Sequence, residues 1–164
     1  MDHVSPYFDV STADIITRLI WASFPFNAKF HAEYNRKPDM YGPIWILKTL
    51  IVVITVATNF SRYLLSSGDF TYQLTVFPIA FGCLFGICLG LPIGIYYFVK
   101  CFGDRESTVT LVYGIGMYSY SFTAFLLSTL ICGFVTNSIV RWILLSYSTL
   151  TSIIFLINVY WIDL

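Results

Sequence analysis

The chain has 164 residues, of which 57% are hydrophobic and only 11% charged, with a mean hydropathy of +0.75 and a formal net charge of +0. A soluble domain carries about a quarter charged residues, so this composition excludes a globule covered by water and points to the membrane class. The neutral balance also excludes the surplus of Lys and Arg that phosphate-backbone binding requires, so no nucleic-acid partner is expected.

The first residues, Met1 to Asp14, are acidic and polar. They show no basic n-region and no small-residue cleavage site, so membrane entry is assigned to the first span rather than to a signal peptide. Ser11 to Asp14 forms a weak capping box for a short helix. Ile15, Ile16, Leu19 and Ile20 then share one helical face with Trp21 beside them, and Pro25 ends the segment. Phe26, Phe30 and Tyr34 recur every four residues and predict a second short amphipathic helix. Such helices either lie in the membrane interface, apolar face down, or pack on the protein's own spans; both readings stand.

Crossing a bilayer takes roughly 20 apolar residues. Four runs meet that length, at about 43–65, 74–99, 109–134 and 140–162. The expected fold is therefore an all-α, polytopic helical membrane protein. Residues 1–42 form a cytoplasmic N-terminal region and 43–164 a four-span transmembrane domain. The connections SSGDFTYQ, KCFGDREST and VTNS are short, which makes successive spans antiparallel neighbours. Arg18, Lys29, Arg36 and Lys37 precede the first span, and Lys100 and Arg105 follow the second. The opposite side offers only Arg62 and Arg141 at span edges. The N-terminus and the second loop are accordingly expected in the cytoplasm. Lys48 lies close enough to the start of its span to snorkel back to that face. The sequon Asn59-Phe60-Ser61 falls within the first span and is expected to carry no glycan.

The stretch DMYGP, residues 39–43, stands where charge gives way to apolar sequence. Pro43 suits a first helical turn because its missing N–H has no partner there. Gly42 permits a tight reversal, and Asp39 sits at the positive end of the helix dipole. Tyr41 and Trp45 suit the aromatic belt. In the second span, Gly82, Gly86, Gly90 and Gly94 recur every four residues and share a face. That face is expected to pack closely against another helix, of this chain or of a partner. Hydroxyl residues of the third and fourth spans either line a polar path or bond to helix backbone. No Asp, Glu or His lies deep in a span, where a proton or ion route would need one.

The four cysteines form no CxxC, and His3 and His31 are isolated, so neither a metal site nor a disulfide framework is expected. Cys101, beside Lys100 at the cytoplasmic end of the second span, is a candidate palmitoylation site. The sequence contains no Ser/His/Asp set, no paired carboxylates within a span and no phosphate loop, so neither an enzyme nor a cofactor is expected.

PDMYGPIWI resembles the PDLYGPFWI signature of the Yip family, the Ypt/Rab-interacting multispan proteins of the early secretory pathway. RLIWASFPF resembles the family's approach to its first span. MYSYSF, which includes Tyr118, Ser119, Tyr120 and Ser121, is similar to a second signature, YGYSLF. VRWIL at 140–144 resembles the start of the fourth span in the Golgi branch. Two features depart from the pattern. Ser119 replaces a Gly, and four spans stand against the family's five, which implies either a reduced member or a fifth span beyond Leu164. The resemblance implies a non-enzymatic membrane adaptor of ER–Golgi vesicle traffic. Its implied partners are Rab GTPases, other Yip-family proteins and vesicle coat components, with the DMYGP residues Asp39, Met40, Tyr41, Gly42 and Pro43 read by a partner. On that reading Asp39→Asn is expected to accumulate normally and lose function. The alternatives are a structural subunit of a larger membrane assembly and a small transporter.

Overall fold

A backbone inside hydrocarbon must satisfy its own N–H and C=O groups, and a single segment does so only as a helix. The computed structural model describes residues 11–23, 34, 38–66, 68, 70–102 and 111–163. Among them run α1 (Thr12–Ser23), α2 (Tyr41–Leu65), α3 (Val76–Phe102), α4 (Leu111–Ser121), α5 (Thr123–Phe134) and α6 (Ser138–Asp163). Tyr41–Leu65, Val76–Cys101, Leu111–Phe134 and Ser138–Asn158 are long and apolar enough to cross a membrane. The protein is an all-α, polytopic helical membrane protein.

The third span is not one continuous helix. It breaks at Phe122, where the Phe122 N–H donates to Ser119 O at 3.2 Å and the Phe125 N–H to Phe122 O at 3.0 Å. Both are tight three-residue bonds in place of the α-helical ladder. The hydroxyls of Ser119 and Ser121 donate to Ile115 O and Tyr118 O at 2.8 and 2.7 Å. Such hydroxyls compete with backbone N–H groups for carbonyls and bend helices without proline. Several other span hydroxyls do likewise: Thr55, Thr149 and Thr151 each donate four residues back. Ser128 and Ser148 join α5 to α6 by a short hydroxyl contact.

α2 is central and packs on α5, α3 and α4, while α6 leans on α5 and α4. One cluster gathers Ala22, Tyr34, Ile46, Tyr113, Met117, Tyr120 and Phe155. A second, deeper cluster joins Leu47, Leu50 and Ile51 of α2 to Ala80, Leu84 and Cys88 of α3. α1 turns Ile15, Arg18 and Ala22 inward and leaves Ile16 and Ile20 exposed. Its buried face is thus rotated from the expected Ile15–Ile16–Leu19–Ile20 stripe and includes an arginine. One side of α1 packs on the spans, and Ile16 and Ile20 stay exposed beside Asp14 and Thr17 on the other. The helix expected around Phe26 and Phe30 lies outside the described residues, as does Pro25.

The glycine face of α3 packs on none of the described residues. A Cβ added at Gly82, Gly86, Gly90 or Gly94 meets no atom within 4 Å. The ladder that does pack is Ala80, Leu84, Cys88 and Pro92, all buried. It lies two residues, about 200°, round the helix from the glycines. Close approach occurs instead at Gly133, whose added Cβ would stand 3.0 Å from Ala57 Cβ and 3.1 Å from Ala57 Cα. It also occurs at Gly42, Gly114 and Gly116. Asn59 of the sequon is buried and donates to Thr55 O at 2.9 Å and Gln73 O at 3.2 Å. Its amide oxygen accepts from the Gln73 N–H at 2.8 Å, tying the chain before α3 to α2.

Candidate functional site

Asp39 precedes α2 and is fully buried, with 0% exposure. A carboxylate out of water needs a counter-charge and several donors. Arg18 of α1, itself 2% exposed, supplies the charge through a direct Nη1–Oδ1 ion pair. The Gly42 N–H donates to Oδ2 at 2.8 Å, which caps the first turn of α2 from three residues upstream. The Tyr120 hydroxyl, from the end of α4, lies 3.1 and 3.3 Å from the two oxygens. Tyr34 donates to the Asp39 backbone carbonyl at 2.9 Å. One side chain therefore fastens α1, the segment before α2, α2 itself and α4.

Aromatic rings seal this clasp. Tyr34 lies 5.5 Å from Tyr120 in edge-on geometry and 5.7 Å from Tyr113, and the Arg18 guanidinium stands 5.4 Å from the Tyr34 ring centre. Burial, and secondarily the charge of Asp39, pushes the Tyr34 phenol far above its ordinary value, so it remains a neutral donor. Two glycines make room. A Cβ on Gly42 would strike the Tyr120 hydroxyl and sit 2.8 Å from its Cζ, and a Cβ on Gly116 would strike the Tyr34 hydroxyl. Gly42 is needed for this contact and not for a left-handed backbone, since the positive φ among the described residues is at Gly68.

The two sequence signatures thus meet, but not as a surface. Asp39, Gly42 and Pro43 point inward, Met40 is half-buried, and Tyr41 is exposed. In the second signature Ser119, Tyr120 and Ser121 are buried and Tyr118 is half-buried. Asp39, expected to be read by a partner, offers its carboxylate to Arg18, Gly42 and Tyr120 of its own chain instead. Arg18, expected among the free cytoplasmic charges, is consumed by the clasp. Gly116 carried no signal in the sequence, and Tyr34 stood out only as the last aromatic of the Phe26, Phe30, Tyr34 stripe; the sign of Arg18's role is an arginine at the i+3 position between Ile15 and Ala22. Outside the clasp, Tyr41 and Trp45 pair at 6.0 Å, with Lys48 Nζ 5.8 Å from the Trp45 ring centre, and all three are exposed. Cys101 is exposed in the last turn of α3. Among the described residues no group of His, Cys, Asp and Glu is placed to hold a metal ion.

The Yip1 domain model matches residues 21–162, which include Tyr34, both signatures and nearly all four spans. The chain belongs to the Yip1 domain family. It is 25% identical over 156 residues to the protein YIPF1 homolog of Dictyostelium discoideum, covering 92% of this chain and 43% of that protein. It is 28% identical over 100 residues to protein YIP5 of Schizosaccharomyces pombe, covering 57% of this chain and 40% of that one. The chain thus spans less than half the length of these curated relatives. No solved structure matches it significantly.

Proposed function

We propose that this Yip-family chain is a non-enzymatic membrane adaptor in ER–Golgi vesicle traffic that binds prenylated Rab GTPases, with its N-terminus in the cytoplasm. Membership of the Yip1 domain family over residues 21–162 carries this reading. The arrangement around Asp39 supports it in a modified form. The buried clasp holds α1 against the bundle, and the exposed Tyr41, Trp45 and Lys48 beside it form the contact surface. Aromatic residues of this kind sit at headgroup level, the depth at which a prenylated protein meets the bilayer. Other Yip proteins and vesicle coat components are further partners on this reading. Co-purification of the full chain from membranes tests it: a prenylated Rab GTPase retained by the chain is the expected result, and recovery without any GTPase contradicts it.

A second role, as a subunit of a larger membrane assembly, draws on α3 and α6. Only 22% and 17% of their most apolar windows are buried, and the glycine face of α3 is open. Stoichiometric multispan partners that are lost in Gly86→Leu would support it.

A further inference from the structure

The end of the bundle remote from Asp39 holds a cavity of about 520 Å³ between α2, α5 and α6, with Leu84 of α3 at its side. Its walls are apolar, formed among others by Ile54, Leu84, Phe125 and Leu145. Its two charged lining residues are both arginines, Arg62 in the last turn of α2 and Arg141 in the first turn of α6. Arg141 is held rigidly: its Nε donates to Val135 O at 2.6 Å and its Nη2 to the Ser61 hydroxyl. These bonds use two of the five donors of a guanidinium. Arg62 is exposed. Among the described residues the ion pair is Arg18–Asp39, and neither of these arginines shares in one.

We propose that this cavity holds an acyl chain of an anionic phospholipid whose phosphate is bound by Arg62 and Arg141. Three observations select that occupant. Leu50, Ile54, Leu84, Phe122, Phe125 and Leu145 give most of the lining to hydrocarbon, which suits an acyl chain. The volume falls within the range of about 300–1,000 Å³ typical of small-molecule sites, whereas a transmembrane helix about 10 Å across and a few turns long fills more than about 1,000 Å³. The two guanidiniums supply paired donors and positive charge where a headgroup would lie, and Arg is the residue suited to bidentate phosphate contacts. The site lies at the opposite end of α2 from the clasp and the Tyr41–Trp45 face, so it stands independently of the proposed Rab contact.

Native mass spectrometry of the purified full chain, equilibrated with mixed micelles of phosphatidylserine and phosphatidylcholine, tests the proposal. The wild type is expected to retain phosphatidylserine in preference to phosphatidylcholine. Arg62→Gln, at an exposed side chain with no bond to the other described residues, should weaken that retention about ten-fold, the usual worth of a charge-assisted contact. Arg62→Lys should keep part of it, and Ile54→Trp, which narrows the cavity, should lower retention of both lipids. Circular dichroism of each variant checks that the helices persist. Equal retention of the two lipids by the wild type, or unchanged preference in Arg62→Gln, overturns the proposal.

Discussion

Asp39 and Arg18 form a buried ion pair whose two halves are not equivalent under substitution. Asp39→Asn leaves a guanidinium that cannot lose its proton in a site that excludes water, and breaking a buried pair in this way costs about 3–5 kcal/mol. Arg18→Gln leaves a carboxylate that keeps the Gly42 and Tyr120 donors. Its cost should be nearer 1–3 kcal/mol. Detergent unfolding of both single variants and of Arg18→Gln/Asp39→Asn should give a clear coupling, with the double variant less destabilised than Asp39→Asn. Additive losses would mean that the pair is not an energetic unit. Tyr34 adds a pH signature. Its phenol is raised by burial and by Asp39, so the folded chain holds that proton more tightly than the unfolded chain. The stability it contributes is complete below about pH 10 and falls as pH rises beyond it. Tyr34→Phe should lose about 1 kcal/mol at neutral pH with the bond to Asp39 O, and its alkaline unfolding curve should be the flatter of the two. A steeper curve for the variant would contradict this.

Helix packing turns on which face of α3 meets α2, and here the sequence is ambiguous for a physical reason. Gly82, Gly86, Gly90, Gly94 and Ala80, Leu84, Cys88, Pro92 are both ladders of period four in one apolar helix. Nothing in hydropathy distinguishes a lipid-facing side from a packed one when both are apolar. Burial decides for the second ladder. In isolated monomers, Gly86→Leu and Gly90→Leu should therefore unfold within about 0.5–1 kcal/mol of wild type, in either direction, since a helical glycine also carries an entropic cost. Gly133→Leu should be far worse, because the Ala57 backbone stands where its side chain would go; loss of about 3 kcal/mol or more, as for overpacking at a rigid contact, is expected. Comparable melting of all three variants would refute this assignment. The break at Phe122 was hidden for a related reason. A run of hydroxyl residues marks a span as polar, but which carbonyls they capture depends on the fold.

Across the whole molecule, the four spans and the start of α2 were legible because length and hydropathy suffice for them. The family was legible in nine residues around DMYGP. The clasp was not, since Arg18 and Tyr120 are remote in sequence from Asp39 and charge counting places Arg18 in water. On the proposed orientation, Lys48 and Lys100, exposed at the same end of the bundle as the clasp, face the cytoplasm. Cytoplasmic thiol labelling should modify Cys101, exposed at that end, and spare Cys132 at the other; the reverse pattern would invert the topology. DMYGP, on the function proposed, is an internal fastening that presents a neighbouring surface. Steady-state level and Rab-GTPase association, scored side by side in membranes, test it most directly. Asp39→Asn should lose level and association together, and Tyr41→Ala combined with Trp45→Ala should keep its level and lose association. An Asp39→Asn chain that accumulates normally while association is lost would contradict the claim.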